Sequence, residues 1–193
     1  MKITIHRHGA TAENKERRYI GRSDPPLSPE GAEEAAKWPA DPAAKRVFVS
    51  PLLRCRQSAA IWFPGAEQME VPGLVEMDFG VFEGKNFHDL AEDADYRAWV
   101  EGGCTGAPPG GESRDAFLSR TVEAFRQLVE AHPGQDMHIV AHGGTIMALL
   151  SELGHPREDY FRWQVPPCHG FRLELSSPLW ENGGGFTILG PLK

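Results

Sequence analysis

The sequence predicts an α/β sandwich built on a mostly parallel sheet. Three observations lead there. Segments alternate in the order β, α, β, α, then a long insertion, then α, β, α. Short β-branched strands end abruptly in polar or glycine residues that start the next element. The 193 residues suffice for one domain with a sizeable core, and no linker, internal repeat or low-complexity tract divides them.

Residues 2–6 form the first strand, and the polar segment 9–27 behind it is too long for a plain connection, which marks it as functional. Ser28-Pro29 opens a helix as N-cap and first helical residue, and Pro39 ends it by Trp38. RVFVS (46–50) is the next strand, and Ser50-Pro51 is expected to open the following helix in the same way, placing Arg54 in its second turn. A short extended piece near Met69 to Val71 leads to LVEMDFGVFEG (74–84), strand or irregular, then short helical pieces over 86–101 and a Gly/Pro-rich loop over 102–113. Apolar residues three and four apart from Phe117 to Val129 make Arg114 to Ala131 an amphipathic helix. MHIVAHGG (137–144) repeats the strand that ends in His-Gly, and a buried helix follows, closed by Gly154. Late strands are expected at Phe171–Leu175 and Phe186–Leu189.

Composition excludes several functions. A formal charge of −7 disfavours general affinity for nucleic acid or an anionic membrane, although a local cationic pocket can oppose that field. MKITIH turns polar too soon for a signal peptide or anchor, and no apolar run approaches the ~20 residues of a membrane span. Cys55, Cys104 and Cys168 are odd in number and carry no paired spacing, which suits reduced, structural thiols in a cytoplasm. The five tryptophans read as core, and nothing specifies an oligomeric state.

In open α/β sheets ligands sit beyond the carboxyl ends of the strands, where His8, Ser50 and His142 all fall. Alternation puts His6 and His8 on one side of the strand and Arg7 on the other unless the chain bends, which Gly9 permits. Arg54 lies near a helix N-terminus, and His142 stands before a helix whose free N–H groups can receive an oxyanion. Glu76, Asp78 and Glu83 supply candidate acids. Two histidines, two arginines and an acid suit phosphoryl transfer: guanidiniums match phosphate, one imidazole attacks, the other donates hydrogen bonds. His6-x-His8 also has the form of a metal site, but Arg7 between the ligands and the short chain fit that poorly. His138 reads as structural or exposed.

Five motifs in order resemble the histidine phosphatase superfamily, which includes cofactor-dependent phosphoglycerate mutases and alpha-ribazole phosphatases: RHGATAEN (7–14), YIGRSDPPLSPEG (19–31), SPLLRCRQSA (50–59), LVEMDFGVFEG (74–84) and VAHGG (140–144). The resemblance implies a three-layer α/β/α sandwich, one domain over 1–193, with a small helical or loop cap inserted at roughly 77–113. It implies His8 as the nucleophile that becomes phosphohistidine, Arg7, Arg54 and His142 around the phosphoryl group, and Glu76 as proton donor and then base. Asn14, Gly143 and Gly21 are the implied phosphate or substrate contacts, and no metal or organic cofactor is implied. Ala10 and Ser58 depart from the common family residues without removing a chemical group.

Phe79 where mutases carry a Tyr, the short chain, and APPGGES (107–113) point to a metal-independent phosphomonoesterase acting on a small phosphorylated metabolite such as alpha-ribazole 5'-phosphate. A phosphoglycerate mutase and a catalytically silent phosphate-binding protein are the alternatives. Trp99, Arg17, Arg18, Tyr19 and Arg22 are candidates for the substrate mouth.

Overall fold

The computed structural model describes residues 1–176, 180, 183 and 185–192. In chain order the elements are β1 (Lys2–Arg7), α1 (Ala12–Lys15), α2 (Pro29–Ala36), β2 (Arg46–Val49), α3 (Leu53–Trp62), β3 (Glu67–Glu70), α4 (Ala94–Glu101), α5 (Arg114–Ala131), β4 (Met137–Ala141), α6 (Gly143–Leu153), β5 (Gly154–His155), β6 (Gly170–Glu174) and β7 (Phe186–Pro191). The strands form one sheet in the order β3-β2-β4-β1-β6-β7-β5. Pairs β3·β2, β2·β4, β4·β1 and β5·β7 are parallel, whereas β6 is antiparallel to both β1 and β7. The sheet is therefore mixed, with its parallel half carrying the strand ends of interest.

Alternation along the strands builds a core on each face. On one face Ile3, Ile5, Ile139 and Leu173 meet Phe125 and Leu128 of α5 and Ile146, Leu149 and Leu150 of α6. Val47, Val49 and Val140 meet Ala35 of α2 and Cys55, Ala59 and Trp62 of α3 on the other. These are the three α/β/α layers. A third cluster belongs to the segment between β3 and α5: Met77, Phe82, Leu90, Tyr96 and Trp99 gather over Phe117 of α5 and Ala148 of α6. No described helix is long and apolar enough to cross a membrane.

Several local expectations are corrected. Ser28 caps α2 as predicted, its hydroxyl accepting from Gly31 N–H at 2.9 Å. Ser50 does not cap α3: the helix starts later, with Leu52 at the cap position and no side-chain cap, so Arg54 lies in the first turn. The Ser50 hydroxyl is engaged elsewhere, with His142. Helical pieces over 86–101 reduce to α4, capped by Asp93, and 74–84 is irregular apart from 3-10 turns at Pro72–Leu74 and Gly80–Phe82. Gly154 ends α6 at φ −77° and ψ 148°, extended rather than left-handed, because the chain continues directly into β5. The long segment 9–27 contains the short α1, closed by reciprocal bonds between Thr11 and Asn14.

Candidate active site

β1 and β4 run side by side in parallel and finish together, with Arg7 opposite Ala141 and His8 N–H donating to Ala141 O at 3.0 Å. That register brings the two strand-end imidazoles together, their ring centroids 5.2 Å apart. The His8 Nδ1 lies 2.6 Å from Gly9 O. A carbonyl only accepts, so Nδ1 carries the proton and the lone pair of neutral His8 sits on Nε2. Burial, reinforced by the Arg54 and Arg7 charges, pushes the His8 pKa well below the usual histidine value and keeps the ring neutral. His142 is likewise held neutral, first by burial and then by Arg54, and its Nε2 is 2.7 Å from Ser50 Oγ.

Both arginines are fixed by neutral main-chain carbonyls. Arg7 Nη1 donates to Val165 O at 2.6 Å; Arg54, completely buried, donates from Nη1 to Ser23 O at 2.8 Å and from Nη2 to Gly21 O at 3.0 Å. Neither forms an ion pair among the described residues, and the Nε atom of each is buried without a partner. Such orphaned donors are rare in proteins. Paired charges with free N–H groups fit a multiply charged oxyanion.

Glu76 approaches from the irregular segment after β3. Its Oε1 accepts from Met77 N–H at 2.9 Å and its Oε2 from Gly144 N–H at 2.8 Å, at the start of α6. Burial raises its pKa above the usual carboxylate value against the pull of those two N–H groups. A carboxyl so placed can give up a proton and take one back. Arg120 of α5 sets the segment itself, holding the carbonyls of Gly73, Val75 and Glu76 at 3.0, 2.9 and 2.9 Å.

Residues 3–182 match the Histidine phosphatase superfamily (branch 1). The chain belongs to this superfamily. It is 30% identical over 192 residues to an Escherichia fergusonii protein named "Probable phosphoglycerate mutase GpmB", covering 95% of this chain and 89% of that one. Among solved structures it is similar to the alpha-ribazole phosphatase from Shigella flexneri, with a TM-score of 0.84, 26% identity, and coverage of 97% of this chain and 94% of the other. It is also similar to a phosphoglycerate mutase from Thermus thermophilus, with a TM-score of 0.71, 32% identity, and coverage of 100% and 99%.

In this superfamily member a cavity of about 300 Å³ opens over the strand ends and exposes Arg7, His8, Asn14, Glu76 and Gly143. Arg54 and His142 are completely buried and are not among the residues that line it, but both lie against His8: the His142 ring centroid is 5.2 Å away and the Arg54 charge acts on the His8 ring. Gly21 is absent from the wall as well, since Glu83 takes its N–H and Arg54 its carbonyl. His6 does not share the site with His8: β1 ends at Arg7, and His6 instead packs on Trp62 with ring centroids 5.3 Å apart. His138 shares that region, bonded to Thr4 Oγ1 at 2.9 Å.

The outer cavity is aromatic. Tyr19, Phe79 and Trp99 form one side, and Tyr160, Phe161 and Arg114 stand near, with the Arg114 guanidinium carbon 5.1 Å from the Tyr160 ring centre. Arg18, Tyr19 and Trp99 line it, whereas Arg17 and Arg22 do not. Arg114, Tyr160, Phe161 and Ser50's bond to His142 were not assigned from sequence. Arg114 starts an amphipathic helix and Tyr160-Phe161 lie in a loop turn, so periodicity carried no signal for either.

Proposed function

We propose that this chain hydrolyses a small phosphomonoester in two steps through a phosphohistidine on His8. The His8 Nε2 attacks phosphorus in line, an N–P bond forms as the P–O ester bond breaks, and the Glu76 carboxyl protonates the leaving oxygen. Water then attacks the phosphohistidine, Glu76 carboxylate takes its proton, the N–P bond breaks, and inorganic phosphate leaves with His8 restored. Arg7, Arg54 and His142 stabilise charge on the phosphoryl oxygens in both steps.

The observation that carries this reading is the 2.6 Å contact from His8 Nδ1 to Gly9 O, which leaves Nε2 nucleophilic beside two guanidiniums with free Nε–H groups. The aromatic mouth suits a leaving group with a flat ring, and alpha-ribazole 5'-phosphate is the favoured substrate, in line with the name of the Shigella flexneri neighbour. Three unpaired cysteines support a cytoplasmic setting. Incubation with labelled phosphomonoester and rapid alkaline quench should trap an acid-labile, alkali-stable phosphoenzyme that His8→Ala cannot form. Full phosphatase activity in His8→Ala overturns the scheme.

A mutase is the second reading, favoured by the names of the Escherichia fergusonii relative and the Thermus thermophilus neighbour. It predicts conversion of 3-phosphoglycerate to 2-phosphoglycerate after priming with the bisphosphate, in place of phosphate release.

A further inference from the structure

Glu83 belongs to the segment between β3 and α5, just after the turn Gly80–Phe82, yet its carboxylate serves a different stretch of chain. Oε1 accepts from Gly21 N–H at 2.9 Å and Arg22 N–H at 3.0 Å. Oε2 accepts from the Ser23 hydroxyl at 2.6 Å and Ser23 N–H at 3.3 Å. Three successive main-chain N–H groups thus converge on one acid. Two further bonds set the register beside it, Tyr19 N–H to Lys85 O and Gly84 N–H to Tyr19 O, both 2.9 Å. Gly21 has to be glycine for this approach, because a Cβ there would stand 1.8 Å from Met77 O and 2.5 Å from Glu83 Oε1.

The same stretch holds Arg54 from its other side. Gly21 C=O and Arg22 N–H are two ends of one planar trans peptide and point in opposite directions. Glu83 takes the N–H end, and Arg54 Nη2 donates to the C=O end at 3.0 Å. The peptide lies between a carboxylate and a guanidinium, each polarising it in the sense that strengthens the other bond. Ser23 joins the same two side chains across a residue and not across one peptide, with its N–H and hydroxyl donating to Glu83 and its carbonyl accepting from Arg54 Nη1 at 2.8 Å. Arg54 has no carboxylate partner among the described residues, so these two carbonyls set where its guanidinium sits.

The geometry assigns Glu83 as the positioning residue of Arg54, acting through the Gly21–Ser23 main chain and so tying the segment between β3 and α5 to the guanidinium. This assignment rests on the reading above that Arg54 holds the phosphoryl group. It gives Glu83 an influence on phosphate binding although it lines no part of the cavity.

The test uses the full chain and Glu83→Gln, which keeps the side-chain length and removes the charge. The Arg54 Nε–H resonance, identified by its loss in Arg54→Lys, should shift or broaden in Glu83→Gln. Affinity for inorganic phosphate by calorimetry and kcat/KM on p-nitrophenyl phosphate should each fall about 10- to 100-fold. Ser23→Ala removes one donor to Glu83 and should act in the same direction by a smaller factor; it decides the matter if Glu83→Gln does not fold. An unchanged Arg54 resonance with unchanged phosphate affinity overturns the relay, whatever happens to Tm. A wild-type protein that binds phosphate without turnover defeats the hydrolase reading instead, while the resonance and phosphate affinity still report on the relay.

Discussion

Ser50 Oγ and His142 Nε2 lie 2.7 Å apart, joining the ends of β2 and β4 at the candidate active site. The hydroxyl that would have capped α3 orients a buried imidazole instead. The Cys55 thiol also lies against the ring, its Sγ 3.6 Å from Nε2 and 3.8 Å from Nδ1. Ser50→Ala should leave the buried Nε2 with only the weak Cys55 thiol as partner, at a cost of about 1–3 kcal/mol in urea unfolding. The kcat should fall about 10-fold or more as the ring loses its orientation. A variant with native kcat argues that Ser50 does not orient His142.

Glu76→Gln should separate the two steps of the proposed mechanism. p-Nitrophenolate leaves without needing a proton, so His8 should still be phosphorylated on mixing, in a burst of about one equivalent per site. Water then lacks its base, and steady-state kcat should fall roughly 100- to 10,000-fold. An alkyl phosphate should give no burst.

The pH dependence follows from the same pair. In the proposed mechanism His8 attacks as the neutral ring, and its folded pKa lies well below 6.5, so kcat/KM should hold its value as pH falls through 6.5. In that mechanism Glu76 is protonated in the first step, so the alkaline limb should report its raised pKa. In Glu76→Gln that limb should disappear while the acid limb remains.

Gly144→Ala tests the placement of Glu76 without altering its chemistry. A Cβ at this position would stand 2.1 Å from Glu76 Oε1, the end of a side chain that can swing away. Stability should change little, since alanine is favoured over glycine in a helix by about 1 kcal/mol. Activity on an alkyl phosphate should drop towards the Glu76→Gln level.

Acid stability should betray His6. Its pKa is pushed down to about 3, mainly by burial and then by His138. Below the unfolded value of 6.5 the unfolded chain takes up a proton that the folded chain refuses, so stability is lost as pH falls. Between pH 6.5 and 5 this one group accounts for about 2 kcal/mol of lost stability. His6→Leu should flatten the fall in urea-unfolding free energy by that amount, leaving the contribution of His8 and His142, whose shifts have the same sign.

What could be read in the sequence was whatever local chemistry decides. The α5 stripe, the Ser28 cap and the His-Gly strand ends depend on neighbours a few residues apart, and they fold as their patterns indicate. Ser50 failed as a cap because a residue 92 positions away competes for its hydroxyl. His6 was paired with His8 by alternation, which stops being informative where the strand stops. Arg120 carries no signal beyond a charge on a helix face, and Glu83 reads as a candidate acid and not as a main-chain anchor, since the partners of both include main-chain groups that sequence does not distinguish. The antiparallel β6 was likewise invisible, because pairing direction is set by the connections and not by the strand's own residues.

Arg7 and Arg54 are held by carbonyls alone, and this makes the solvent a participant in folding. An anion that settles between them contributes to the free energy of the native state and nothing to that of the unfolded chain. At one hundred times its dissociation constant, such a ligand adds about 2.7 kcal/mol. The resistance of this chain to heat and to proteases would then rise and fall with the phosphate around it.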